Sequence, residues 1–327
     1  MSTKADKNIV VVGTGAWGGN LVRNFAELGV LFGICDQNPE CLKKTGDAYP
    51  KVKRYQSFDE ILGAAEADAV AIATPAATHY QLCKAALEAG KDVFVEKPAA
   101  LNPAEAKELA EIIKREQRIL MVDHLLLYHP AILRLKDIID AGKLGKLQYI
   151  YSNRLNIGKL RKEENILWSF APHDIAVILY LTGRQPMQVR AFGEAYLQED
   201  IFDTTVSDLT FNDKLKAHIF VSWLHPYKEQ KLVVIGNDGM AVFNDLAPSD
   251  QLTFYPHKIK WIRQIPVADK AAQETIPFEP KEPLKEACRH FVNCLMNRQT
   301  PQTDIQEAID VLEVLQSAQE DLEASSR

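Results

Sequence analysis

The chain has 327 residues, of which 46% are hydrophobic and 25% charged, with a formal net charge of −6. That length admits two domains or one large α/β unit with a sizeable core, and the ordinary composition excludes a fibrous repeat or a disordered chain. The acidic balance excludes a general nucleic-acid binder, which needs a basic surface, and no apolar run reaches the roughly 20 residues of a membrane helix.

The start, "MSTKADKNIVVVG", is a polar tail leading into a strand, without the charged-then-apolar pattern of a secretory signal. The five cysteines, Cys35, Cys41, Cys83, Cys288 and Cys294, are scattered and form no CxxC pair. Both features predict a cytoplasmic protein with reduced thiols and no metal site.

In chain order, "NIVVVGTG" (8–15) predicts a strand ending in glycines, and "AWGGNLVRNFAELG" (16–29) a helix with a glycine stop. "VLFGICD" (30–36) is a second strand and "DAVAIATP" (68–75) a third. A helix over 79–90, a strand over 91–98, a helix over 102–117 and a strand over 118–124 follow. Strands alternating with helices predict βαβ units, and almost wholly apolar strands predict a parallel sheet covered on both faces. After about residue 124 the pattern changes. A helix over 129–145 and a β-rich stretch over 146–158 precede a helix over 171–183. Strands over 187–197, 204–211, 215–224, 231–245 and 251–255 then predict a mainly antiparallel sheet, with Asn212-Asp213 and Asp238-Gly239 as hairpin turns. Helices return over 282–297 and 304–322. The division expected is a Rossmann domain over 1–124 and an α/β domain over 125–327, whose last helices are free to pack back on the first.

"VVGTGAWGG" holds Gly13-x-Gly15-x-x-Gly18 directly after a strand and at the opening of a helix. The first glycine permits a tight turn, the second lets the backbone approach a pyrophosphate, and the third lets helix and strand pack closely. The helix N-terminus offers free N–H groups and a positive dipole end to the phosphates. Asp36 ends the second strand, where an acid can hydrogen-bond ribose hydroxyls and repel a 2′-phosphate. NAD is therefore expected over NADP, with Lys43 and Lys44 as the nearby cations that speak for the latter. The competing reading is a glycine turn and an exposed acid that bind nothing.

Three later stretches are more specific: "AIATPAATHYQLCKAALEAGKDVFVEKPAALN", "HDIAVILYLTG" and "EPLKEACRHFVNCLMNRQTPQTD". Together they closely resemble the Gfo/Idh/MocA family, which includes glucose–fructose oxidoreductase and the inositol dehydrogenases. The resemblance spans nearly the whole chain, and Glu96-Lys97-Pro98 is its most specific part. It implies a Rossmann domain followed by an α/β domain with an open, mostly antiparallel sheet. It also implies a pyridine nucleotide and a sugar or cyclitol substrate. Cofactor contacts are expected from Gly13, Gly15, Ala16, Trp17, Gly18, Asp36, Thr74, Pro75, His79, Glu96 and Lys97, and a cis Lys97–Pro98 bond is a further expectation. Many relatives carry an aspartate four residues before the active-site histidine, where this chain has Ser169. The "WSFAPHDI" form is similar to a nucleotide-sugar subgroup acting on N-acetylated hexuronates.

Oxidising a secondary alcohol moves a hydride to the nicotinamide and a proton to a base within hydrogen-bond reach. Histidine suits the second task, and the resemblance gives it to His173. Pro172 fits the first position of a helix, which would put His173 in the first turn, where the dipole keeps the ring neutral. Asp174 then reads as a favourable first-turn acid. A structural helix-start histidine is the alternative. Lys97 follows a strand at the sheet's carboxyl edge, where its ammonium can hold a hydroxyl and stabilise alkoxide charge. His79 can line the cofactor cleft or simply contact its own helix start. Arg154 can pair with a carboxylate or diphosphate, Trp168 can stack on a sugar or sit in the core, and both join Ser169 as substrate candidates.

The expected function is an NAD-dependent sugar oxidoreductase, acting by analogy at C3 of a nucleotide-linked N-acetylhexuronate. A free-sugar or inositol dehydrogenase, an NAD-dependent glycosidase and a non-catalytic NAD-binding regulator remain as alternatives. The partners expected are a small-molecule substrate and further copies of the chain, as a homodimer or homotetramer, since a broad sheet face must be covered.

Overall fold

The computed structural model describes residues 7–158, 160–162 and 164–325. They form two compact units, one of residues 7–125 with Glu282–Leu312, the other of Leu126–Lys281 with residues 313–325.

In the first unit the strands are β1 (Ile9–Val12), β2 (Leu31–Cys35), β3 (Lys53–Tyr55), β4 (Ala69–Ile72), β5 (Asp92–Val95) and β6 (Leu120–Val122). The helices between them are α1 (Gly18–Glu27), α2 (Pro39–Ala48), α3 (Phe58–Leu62), α4 (His79–Glu88) and α5 (Pro103–Glu116). All strand pairs are parallel, in the order β3-β2-β1-β4-β5-β6. The order reverses between β1 and β4, and ligands of such sheets bind outside the carboxyl ends of the strands at that point. β1, β4 and β5 are buried at every residue, which explains their unbroken apolar runs. Asn38 caps α2 and Asn102 caps α5, each followed by proline at the first helical position. The short β3 and α3 and the helix α2 were not among the elements expected.

The helix α8 (Pro283–Asn297) also belongs to this unit. Its Phe291 meets Phe25 of α1 and Phe94 of β5 edge to face, with centroids 6.5 and 5.5 Å apart, and Phe25 and Phe94 lie 5.9 Å apart. Such pairs contribute about 0.5–1.5 kcal/mol beyond their buried area.

The second unit opens with α6 (Pro130–Asp140), β7 (Leu147–Leu155) and α7 (Ile166–Thr182). It continues through β8 (Gln188–Glu194), β9 (Thr204–Thr210), β10 (Lys216–Ser222), β11 (Glu229–Gly236), β12 (Met240–Asn244) and β13 (Leu252–Tyr255). The last strands are β14 (Lys258–Ile262), β15 (Ile265–Asp269) and β16 (Glu274–Thr275). Eight of these strands form one sheet in the order β16-β13-β12-β11-β7-β10-β9-β8. Only β7 and β10 pair in parallel; the other pairs are antiparallel, as the sequence predicts. The helix α7 packs on β7, β9 and β10. The opposite face carries Tyr149, Tyr151, His218, Phe220, Val206 and Phe192, half-buried or exposed. Helix α9 (Ile305–Ser325) starts within the first unit and ends within the second.

Helix α7 departs from expectation. It starts at Ile166 with Asn165 as its cap, five residues before the predicted start. Pro172 therefore lies inside the helix, and His173 and Asp174, its eighth and ninth residues, lie in the third turn and not in the first. The dipole argument for a neutral His173 falls with that correction, and so does the reading of Asp174 as a first-turn acid.

Candidate active site

The glycine motif follows β1 and opens α1. Gly13 has φ +86°, a left-handed backbone, and a Cβ there would lie 2.7 Å from the Ala73 carbonyl oxygen. A Cβ on Gly18 would meet the Gly13 carbonyl oxygen at 1.8 Å, so only glycine lets the helix start against the turn. At Gly15 nothing lies within 4 Å of an added Cβ. That open space beside a helix N-terminus is where the backbone can receive a pyrophosphate, so the loop fits a dinucleotide.

Asp36 follows β2. Its Oδ2 accepts from the Thr14 backbone N–H at 2.7 Å and the Thr14 hydroxyl at 2.9 Å, and its Oδ1 accepts from Asn38 N–H at 2.8 Å. The carboxylate is thereby fixed against the glycine loop. The motif alone gave no signal for Thr14, which is buried and ties loop to acid.

Ala16 and Trp17 lie on the exposed side of the loop, with Trp17 43% exposed and its Nε1–H donating to Glu96 Oε1. Thr74 and Pro75 follow β4, and the Thr74 and Thr78 hydroxyls lie 2.7 Å apart. His79, 1% exposed, bridges two turns: its Nε2 lies 2.8 Å from the Thr74 carbonyl oxygen and its Nδ1 2.7 Å from that of Pro98. Burial pushes its pKa down, against the pull of the two carbonyls. Its ring thus braces the turn after β4 against the turn that carries Lys97. The Lys97–Pro98 bond is cis, as expected. Lys97 is half-buried just past the carboxyl end of β5.

One group escaped the sequence reading. Asp123 follows β6 and is fully buried. Val95 and Val122 are in register across β5 and β6, so Glu96 and Asp123 come next to each other. Burial raises both carboxyl pKa values. The Glu96 charge beside it raises Asp123 further. The signal lay in two neighbouring strands that both end in valine followed by an acid.

In the second unit, Asn165 accepts from Trp168 N–H at 3.2 Å and donates to Gln319 Oε1 at 2.8 Å. Trp168 is half-buried, and its indole N–H reaches the same Gln319 oxygen at 3.2 Å. Ser169 is buried one turn before His173, on the same helix face. His173 is half-buried between buried neighbours. Asp174 does not stand in for the aspartate absent at Ser169. Its Oδ2 accepts from Arg154 Nε at 2.7 Å, and its Oδ1 from Arg154 Nη2 at 3.2 Å and the Ser152 hydroxyl at 2.6 Å. Among the described residues no group of three or more His, Cys, Asp or Glu side chains is arranged to hold a metal ion, and no helix is long and apolar enough to cross a membrane.

Comparison with known proteins adds to this geometry. Residues 7–124 match the model of an oxidoreductase family with an NAD-binding Rossmann fold, and residues 132–242 match that family's GFO/IDH/MocA C-terminal domain. A UDP-N-acetylglucosamine 3-dehydrogenase from Acidithiobacillus ferrooxidans is 27% identical over 286 residues, 87% of each chain. Its solved structure superposes with a TM-score of 0.85 over 97% of both chains. The scyllo-inositol 2-dehydrogenase (NAD(+)) of Bacillus subtilis is 27% identical over 77% of this chain and 75% of its own. The WlbA dehydrogenase of Bordetella pertussis, solved with NADH and UDP-GlcNAcA, is 20% identical over 98% of this chain and 97% of its own; with a TM-score of 0.81 it shares the fold.

Proposed function

The chain belongs to the Gfo/Idh/MocA family of NAD-binding oxidoreductases, and from that premise we propose that it oxidises a ring hydroxyl, at C3, of a nucleotide-linked N-acetylated sugar, a hexuronate foremost. The observation that carries the reading is the carboxyl edge of the first unit's sheet. There the open glycine loop, the fixed Asp36 and Lys97 all follow strand ends around the reversal between β1 and β4. The nucleotide-sugar class is supported by the full-length similarity to the A. ferrooxidans enzyme and by the "WSFAPHDI" segment.

NAD, when bound, supplies the hydride acceptor. The loop N–H groups around Gly15 hold its pyrophosphate, and Asp36 takes the adenosine ribose hydroxyls. Lys97, as an ammonium, donates to the reacting hydroxyl oxygen and stabilises negative charge as it develops there. His173 accepts the hydroxyl proton on a ring nitrogen. Ser169 offers a hydroxyl where many relatives have a carboxylate, so His173 works here without a charged neighbour at that position.

NAD reduction with UDP-N-acetylglucosaminuronic acid, UDP-N-acetylglucosamine, glucose and myo-inositol, with mass spectrometry of the products, tests this reading. A keto nucleotide sugar is expected. Lys97→Ala and His173→Ala should each lower turnover by roughly 10²–10⁴-fold while still binding NAD; near-normal turnover in both would sink the assignment. Oxidation of inositol alone would favour the second reading, motivated by the Bacillus relative.

A second copy of the chain is the proposed cover for the aromatic outer face of the eight-stranded sheet, where Phe192 is 60% exposed. Light scattering should give a dimer or tetramer, and Phe220→Glu on that face should release monomers. A monomeric wild-type protein would refute this.

A further inference from the structure

We propose that Arg154 is a positioning residue for His173: by gripping the Asp174 carboxylate it fixes the rotation of α7 and so the direction of the adjacent imidazole. The inference rests on the reading of His173 as the proton acceptor.

The grip is directional. Nε and Nη2 of one guanidinium reach the two oxygens of one carboxylate at 2.7 and 3.2 Å, and the Ser152 hydroxyl adds a third donor at 2.6 Å. A two-pronged contact of this kind fixes angle as well as distance. Arg154 and Ser152 lie on β7, in the interior of the sheet, so the anchor is rigid. The guanidinium is held from its other side too. With the Gln230 amide turned to satisfy its neighbours, Arg154 Nη1 donates to its oxygen at 3.1 Å and its nitrogen donates to Asp245 at 3.0 Å.

The helix needs such an anchor at this point. Pro172 has no N–H to return to the Trp168 carbonyl, so the backbone ladder lacks one rung next to His173. The helix is buried on most of its surface, Ile166, Leu167, Ala171, Ile175 and Ile178 included, so apolar packing selects its rotation poorly. The pair itself is almost dry, with side-chain exposures of 13% for Arg154 and 5% for Asp174. Buried ion pairs of this kind add little net stability compared with apolar side chains of equal volume. What this one supplies is a defined orientation. Removing the pair without leaving a lone charge therefore separates packing from orientation.

The test is the full-length double variant Arg154→Met with Asp174→Leu, alongside Arg154→Lys, which keeps the charge and loses the fork. His173 is observed through its ring resonances in protein carrying ¹³C-histidine, assigned with His173→Gln. The double variant should melt within a few degrees of wild type and bind NAD within twofold of it. Its His173 signal should broaden or split, kcat should fall at least thirtyfold, and KM should change less than threefold. Arg154→Lys should perturb the His173 signal in the same way and cost about tenfold in kcat, and it decides the matter if the double variant does not fold. A His173 signal unchanged in position, width and titration would overturn the proposal. If the wild type oxidises no sugar, the function reading fails on that result, and the His173 signal alone still decides whether Arg154 positions the ring.

Discussion

Asp123 is buried without exposure, and burial together with the neighbouring Glu96 charge holds its carboxyl well above the usual range. The sign follows from linkage. Between the ordinary carboxyl pKa and the raised one, the folded state binds more protons than the unfolded state, so stability falls as pH rises through that window. Asp123→Asn removes the titration and nearly keeps the side-chain shape. Its melting temperature should exceed wild type by about 1–2 °C at pH 8, the shift that about 1 kcal/mol makes in a chain of this length, with a smaller difference near pH 4. Calorimetry at the two pH values checks this; a constant difference would place the stabilisation elsewhere. At this scale the sequence was informative where chemistry follows from residue type and spacing. Gly13, Gly15, Gly18 and Asp36 stood out because a dinucleotide turn needs them. Thr14, Asp123 and the bridging role of His79 did not, because each depends on a contact between residues far apart or on burial.

Element boundaries were legible where local rules act alone. Gly183 ends α7 in the left-handed conformation at φ 62°, and Asn102-Pro103 starts α5, both readable from sequence. The start of α7 was not, because two start signals compete. Proline at the first helical position is a common pattern, but Asn165 is followed by apolar residues that pack onto the sheet, and burial of Ile166 and Leu167 carries the helix through Pro172. Asn165→Ala should therefore cost about 1 kcal/mol as a lost cap, seen as a lower melting temperature, together with looser Trp168 fluorescence because the Gln319 partner is shared. No change in stability would mean that the helix starts elsewhere. The hairpin of β14 and β15 escaped the sequence reading for a different reason. Its first strand does alternate, Lys258-Ile259-Lys260-Trp261, but nearly all residues of the hairpin are exposed, so the pattern marks no buried face.

At the scale of the whole molecule, the βαβ alternation made the first unit's parallel sheet legible, and short β-rich runs made the second unit's sheet legible. The partners of α8 are a matter of tertiary structure. Its apolar stripe is visible in sequence, while its packing on Phe25 and Phe94 joins residues more than 180 positions apart. Further ties bind the same segment. Val122 N–H donates to the Thr303 carbonyl at 2.8 Å, and Arg298 reaches Asp92 at 2.5 Å. A fragment ending at Leu125 lacks all of these. It should aggregate or bind NAD at least tenfold more weakly than the same fragment with 282–312 fused to it, by fluorescence titration with NADH. Equal binding by both would show the last helices to be dispensable for the nucleotide unit.

The three hydrogen bonds on Asp36 also bear on how this protein could change in evolution. The acid we propose to select against a 2′-phosphate is the acid that accepts from Thr14 and Asn38. A lineage drifting towards NADP by replacing Asp36 would lose a discriminating charge and a structural acceptor in one step. Asn38 is exposed, but Thr14 is buried, and a buried donor left without an acceptor costs about 1–3 kcal/mol. The first substitution is therefore deleterious before the new cofactor is gained, unless Thr14 changes earlier. Nucleotide preference here is epistatic: the order of mutations, and not only their sum, decides which cofactor the descendants use.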